Sequence, residues 1–398
     1  MRILKRVPVP FSFFQDIHER VGSMSSTPGV PPRKRAEQIR TAVELHRQAV
    51  QLRGEGKLAD ALDRANQALQ ILEEACGPDH PDVANVFLCR GDVHQDAARY
   101  DQAERDYERA VAIMNQVSGS EPIDRLRVQS LGRLAGIHRV RGRHESAERL
   151  FERAVEDAER SLGPVDLDLA NLLNDLAVLR KSQGRFGEMA PLYLRALAIN
   201  RKAFGPDDPR LATLYHNLGG LEHARGRFKR GEVFARRAVE LREKALGSDH
   251  SAVAADRAAL AALLDAQKKY DEAEMLYRKA LEVFERSLGP DHYEVAVTLN
   301  NMAAIAHARG RTGEAVTLYR RALTIKEQRL GHEHPEAALT LNNLGMSLMG
   351  QGHDVEALRV FERALRIFEA TVGPDHPRAV VCRRNYQRLV QKNETPRT

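Results

Sequence analysis

The sequence predicts an all-α fold, a solenoid of stacked antiparallel helix pairs closed by a C-terminal capping helix. Three observations predict it. Glycines recur at Gly163, Gly205, Gly247, Gly289, Gly331 and Gly373, each 42 residues after the last, and a fixed period of this length marks a repeat architecture. A second set, Gly56, Gly142, Gly184, Gly226, Gly310 and Gly352, falls at one equivalent position, with Ala98 and Lys268 replacing glycine in the remaining repeats. Between the two marks run segments with apolar residues at helical spacing, as in Ala315, Leu318, Tyr319, Ala322 and Leu323. Each period therefore reads as helix, tight turn, helix, loop. With 398 residues the chain exceeds the size at which one hydrophobic core keeps growing, and a repeat array answers that limit.

In chain order, residues 1–35 are rich in Pro, Ser and Arg and are expected to be disordered, with Met24 as an alternative start. Eight hairpins follow, at about 36–76, 81–117, 123–162, 166–204, 208–246, 250–288, 292–330 and 334–372. Gly77 lies 86 residues before Gly163, two periods plus two residues, so a two-residue insertion near Gly119 to Pro122 restores the register. A last helix, about His376 to Gln391, carries Arg378, Arg383, Arg384 and Arg388, the polar outer surface that closes a solenoid. The solenoid spans 36–392 and residues 393–398 form a short disordered tail.

The long loops carry His80, His250, His292, His334 and His376. A metal ladder would need ligands converging within roughly 2 to 3 Å of one ion, whereas successive repeats are translated by on the order of 10 Å. Helix capping fits better. Proline suited to a first helical turn follows at Pro81, Pro209, Pro335 and Pro377, and Asp166 and Asp208 replace histidine where a cap would allow it.

The second helices carry a small-aromatic-small ladder: Ala103, Tyr107 and Ala110; Ala147, Phe151 and Ala154; Ala273, Tyr277 and Ala280; Ala315, Tyr319 and Ala322; Ala357, Phe361 and Ala364. The alanines let two helices approach and the ring fills the gap. With the Leu176-Ala177, Leu218-Gly219 and Leu344-Gly345 pairs of the first helices, this resembles the tetratricopeptide repeat, although the Trp that often opens that motif is absent. The 42-residue period, the Leu299 to Asn301 and Leu341 to Asn343 elements and the Leu-Gly-Pro-Asp-His-Pro loop are similar to the repeats of the kinesin light chain family over roughly Ala36 to Lys392. The resemblance implies a right-handed superhelix whose concave face binds peptides, with Asn or basic residues of the first helices touching the ligand.

Composition excludes several function classes. The formal charge of +6 balances 61 basic against 55 acidic residues, and the two signs interleave along helices such as Glu148 to Arg160, unlike a nucleic-acid-binding face. Cys76, Cys89 and Cys382 lack paired metal or redox spacing. Pro8 and Pro10 interrupt the basic N-terminal run, so no signal-peptide core is expected there, and no stretch reaches the roughly 18 to 20 apolar residues of a membrane span; a cytoplasmic location is expected. The Gly54 to Leu58 stretch lacks the spacing and Ser/Thr of a phosphate-binding loop. No catalytic constellation, metal site or cofactor is expected.

The informative feature is polar. Asn174, His216, Asn300, Asn342 and Arg384 are phase-equivalent, and so are Arg133, Asp175, Asn217, Asn301, Asn343 and Asn385 one position later. Asn is a mediocre residue inside a helix, so its recurrence requires a reason. Either each amide satisfies a group of the neighbouring repeat and locks the stacking, or the amides grip the backbone of an extended peptide by donating and accepting at once. The peptide role is favoured for the second position of each pair. The expected groove residues are Arg133, Arg139, Asn174, Lys181, His216, Asn217, Asn300, Asn301, Asn342 and Asn343; Arg133, Arg139 and Lys181 would favour an acidic segment or a free carboxylate. The expected function is a non-catalytic scaffold binding an extended segment of a protein partner. Self-association is the alternative, with nucleic-acid binding behind it.

Overall fold

Helix boundaries follow the glycine and histidine marks of the repeat. The computed structural model describes residues 32–117 and 119–394, and among them there is no strand. Two compact units divide at Gly205 and Pro206, where the sequence suggests one unbroken solenoid. The first contains α1 (Pro32–Gly54), α2 (Leu58–Cys76), α3 (Pro81–Asp96), α4 (Tyr100–Met114), α5 (Glu121–Val140), α6 (His144–Ser161), α7 (Leu167–Ser182) and α8 (Phe186–Phe204). The second opens with a short 3-10 turn (Pro209–Leu211) and contains α9 (Ala212–Ala224), α10 (Phe228–Leu246), α11 (Ser251–Asp265), α12 (Tyr270–Leu288), α13 (Tyr293–Ala308), α14 (Thr312–Leu330), α15 (Pro335–Gly350), α16 (Asp354–Thr371) and α17 (Pro377–Glu394). Each unit is thus four hairpins, and α17 packs on α16 as the expected final helix. Helix α1 begins four residues ahead of the expected boundary at 36; the rest of the N-terminal segment, 1–31, and 395–398 of the tail lie outside the described residues.

The loop histidines cap helices. Nδ1 of His80, His250, His292, His334 and His376 accepts the backbone N–H two residues on, at 3.1–3.2 Å, and the Asp166 and Asp208 carboxylates do the same at 2.8 and 2.9 Å. A ring nitrogen and a carboxylate oxygen are interchangeable here because the first turn needs only an acceptor. The two turns without glycine are strained instead: Ala98 and Lys268 hold φ of 57° and 61°, a region L-residues occupy at a cost.

Inside each hairpin the predicted ladder forms the core. Tyr107, Phe151 and Phe361 and their flanking alanines are fully buried. The small first-helix residue is there to admit the ring: a Cβ on Gly345 would lie 2.7 Å from the Phe361 ring. Within each unit successive first helices pack on one another, α1 on α3 on α5 on α7 and α9 on α11 on α13 on α15, while a second helix packs mainly on its own partner and on the next first helix. First helices therefore occupy the tighter, inner side of each stack.

A recurrent ion pair ties hairpin to hairpin. Glu104 of α4 receives Arg141, at 2.5 Å, and Arg143 from the turn of the next hairpin. Glu148 receives Gln183 and Arg185, both at 2.7 Å; Glu232 receives Gln267 and Lys269 at 2.8 Å; Glu274 receives Arg309 and, at 2.7 Å, Arg311. Burial by itself would push the Glu232 carboxyl up, but hydrogen bonds from Lys269, Arg236 and Gln267 bring it down to about 2. The pattern lapses at Leu62, Ala190, Val316 and Leu358, which hold the equivalent positions.

Candidate functional site

The paired polar positions of the first helices do different work. In unit 2 the first member of each pair is spent on the neighbouring hairpin. His216 Nδ1 lies 2.7 Å from Oδ1 of Asp256, which is 2 % exposed; the Thr340 hydroxyl donates to Asn300 at 3.2 Å; Asn385 donates to Asn342 at 3.0 Å. Two of these links span 40 residues, so they are one contact repeated. The second members, Asn217, Asn301 and Asn343, are half-buried. Asn343 accepts from Asn342 at 3.3 Å. In unit 1, Asn174 donates to Asp175 at 3.3 Å.

Arg133 is engaged within unit 1 itself. Its guanidinium meets Asp92 at 2.9 and 3.3 Å, Arg53 reaches the same carboxylate at 2.8 Å, and the Tyr107 hydroxyl donates to it at 2.8 Å and to Gln95 at 3.2 Å. Burial would push Asp92 up, but the charges of Arg133 and Arg53 hold it below the usual carboxylate range. The network joins α1, α3, α4 and α5, and burial beside it pushes the Cys89 thiol up to about 12. Arg139 is half-buried and its Nε, shielded from solvent, has no hydrogen-bond partner among the described residues. Lys181 is exposed.

The expected residues are therefore gathered on first helices, but in two separate sets, one per unit. Two features escaped the sequence reading. Asp92 is missed because no other repeat carries an acid at its position. Asp265, the last residue of α11, is half-buried and has no ion pair or side-chain hydrogen bond among the described residues, and burial raises its carboxyl. A cavity of about 670 Å³ beside α12 contains none of the expected residues; its walls include Arg278, Arg309 and Arg311 around Glu274. Among the described residues Glu104, Glu108 and His138 are spaced to share a metal ion, yet Glu104 already accepts from Arg141, Arg143 and, at 3.1 Å, His138. Ion pairing accounts for that cluster. No helix among the described residues is long and apolar enough to cross a membrane.

The tetratricopeptide repeat profile matches residues 38–116, 126–188, 168–244, 212–282 and 254–328, and a second profile of this repeat matches 337–378. The chain belongs to the tetratricopeptide repeat family. Its structure is similar to that of a signal transduction ATPase with numerous domains carrying a tetratricopeptide repeat sensor, from Pyrococcus horikoshii: TM-score 0.62, 16% identity, 96% of this chain and 52% of that one. It is similar to a Rap protein complexed with competence and sporulation factor, with TM-score 0.52 and 14% identity over 91% of this chain and 99% of the other. Nearly identical repeats of a Podosopora anserina protein assigned as a kinesin light chain match 51% of this chain and 96% of theirs, at 22% identity and TM-score 0.45. No curated protein sequence matches. At these identities the likeness is one of fold, the helical-repeat solenoid of the tetratricopeptide family.

Proposed function

We propose that the chain is a non-catalytic scaffold that binds an extended segment of a protein partner along its first helices. The observation that carries this reading is the division of labour within the polar pairs. Inter-hairpin bonds consume His216, Asn300 and Asn342, whereas Asn301 and Asn343 remain half-exposed on the inner side of the stack. A carboxamide that is partly solvated can exchange water for a peptide's backbone N–H and C=O at little net cost. In unit 1, Arg139 and Lys181 bring positive charge to the equivalent face and favour an acidic segment. The related Rap structure, which contains a bound factor, is in keeping with this use of the fold.

The test compares affinity capture from native lysate by the wild type and by Asn301→Ala/Asn343→Ala, with circular dichroism confirming equal helicity. A partner recovered by the wild type and lost with the double variant, and displaced by its own unstructured segment, is the expected result. Equal recovery by both would sink the groove mechanism. A second reading, pairing of two chains through the terminal helix, is favoured by Val380 and Val381, which are 38% and 47% exposed on α17. Solution mass at two concentrations separates it from a monomeric binder.

A further inference from the structure

We infer that His216 is a recognition residue of unit 2: its Nδ1 is tied to the stack, while its Nε2 presents a fixed lone pair that accepts a hydrogen bond from one uncharged N–H or O–H donor of the bound segment. The inference rests on the groove reading above and adds to it a ring nitrogen where other repeats carry an asparagine.

The position of His216 is held by Asn174, Asn300 and Asn342 elsewhere in the array. Asn300 accepts the Thr340 hydroxyl of the next first helix at 3.2 Å, and His216 Nδ1 meets Oδ1 of Asp256, the residue phase-equivalent to Thr340, at 2.7 Å. The stacking bond therefore needs only a polar atom close to the backbone, which an asparagine amide supplies as well as Nδ1 does. Histidine extends one nitrogen further. Nε2 has no hydrogen-bond partner among the described residues, and the side chain is 33% exposed.

Asp256 fixes which nitrogen carries the proton. Its carboxylate is 2% exposed and already receives Arg242 Nε at 2.5 Å, and a carboxylate so paired can only accept. The neutral imidazole donates to it through Nδ1, so Nε2 keeps its lone pair and is held in one direction. The neighbouring charges are engaged elsewhere. Arg242 also reaches Thr213 at 3.2 Å, Arg257 is held by Glu243 at 2.7 Å and by the Ser248 carbonyl at 2.9 Å, and Arg225 and Arg230 face Glu222 at 3.5 and 3.7 Å. The His223 ring, two turns along α9, lies edge-on to Phe228 at 5.5 Å. No hydroxyl or thiol among the described residues bonds Nε2, so the Asp-His pair lacks the nucleophile that acyl transfer would need. One imidazole is also too few ligands for a metal ion.

The experiment selects linear dodecapeptides from a phage-displayed library on the full chain at about pH 8, where imidazole is ordinarily neutral. Peptides lost on Asn301→Ala/Asn343→Ala are kept and measured on His216→Asn and His216→Gln, with the melting temperature of each variant. An extended dodecapeptide, at about 3.3 Å per residue, reaches across two repeats of on the order of 10 Å each. His216→Asn keeps a donor for Asp256 and loses the second nitrogen; it should melt with the wild type and bind about tenfold more weakly. His216→Gln can place an oxygen near the position of Nε2 but gives up the Asp256 bond, so it should melt lower and yet bind more tightly than His216→Asn. A residue that only stacks would not reverse the two orders. Removing one peptide donor, by N-methylation of a single backbone amide or deletion of one hydroxyl, should weaken binding about tenfold on the wild type and leave His216→Asn unaffected. Equal affinity of wild type and His216→Asn would overturn the contact while leaving the groove intact. A lowered melting temperature for His216→Asn would make the ring structural and also overturn it. A library in which no enriched peptide requires Asn301 or Asn343 would overturn the groove reading and the contact together.

Discussion

Two carboxylates on first helices, Asp92 in unit 1 and Asp265 in unit 2, lie one helical turn apart in the repeat frame and have opposite circumstances. Asp92 is gripped by Arg53 and Arg133, one from the hairpin before and one from the hairpin after, and its carboxyl is held low. Asp265 has burial without a partner, and its carboxyl is raised. The comparison teaches that a carboxylate on a first helix is held low where adjacent hairpins supply the counter-charge and is raised where burial acts without one. Arg133 and Asn301 are phase-equivalent, so the counter-charge of unit 1 is replaced by an amide in unit 2.

Removing Asp92 should have the largest effect. Asp92→Ala strands the buried Arg133 guanidinium, while Arg53 keeps Asp96 at 2.7 Å, and losing one side of a buried pair costs about 3–5 kcal/mol; urea denaturation of the full chain measures it, and a loss under about 1 kcal/mol would show that the network is not structural. A smaller loss, about 1–3 kcal/mol, is expected for Glu232→Gln, which weakens charge-assisted bonds to the next turn. Because the folded Glu232 carboxyl titrates at about 2, against 4.5 ordinarily, its contribution is present above pH 4.5 and fades as pH falls toward 2. Wild type and Glu232→Gln should therefore converge in stability at the acid end; a constant difference across that range would refute the ion-pair account.

Asp265→Asn should run the other way. A raised folded-state carboxyl favours folding while protonated, below the ordinary value of 3.8, and that advantage disappears as pH rises. The variant should gain on wild type at pH 7 by no more than about 1 kcal/mol and lose that gain near pH 3. The smallest effect is expected at Lys268→Gly, about 0.5–1 kcal/mol of stabilisation from relieving φ of 61°, read as a modest rise in melting temperature.

The hairpins, the caps and the aromatic ladder were legible in the sequence because each recurs at one phase, and recurrence is the signal a repeat sequence transmits. The histidine reading is a clear instance: Asp166 and Asp208 substituting for His identified an acceptor, and the Nδ1 bonds show it. The roles within the asparagine pairs were open because both amides recur, and only the 40-residue links show which one faces a neighbour. Arg133 looked like a groove residue because its partner, Asp92, stands alone in its column. Asp265 was illegible for the same reason: its column reads Arg53, Gln95, Arg139, Lys181, His223, Asp265, His307, Met349 and Gln391.

Within each unit the main packing of every described helix is on its own hairpin and the adjacent ones, and this has a kinetic consequence. Contacts close loops of about one period, so the chain has low contact order and should fold fast for its length. No late-synthesised strand has to find an early one. Any hairpin can serve as a nucleus with growth in either direction, and the hairpins nearest the N-terminus can complete their packing while later ones are still being translated.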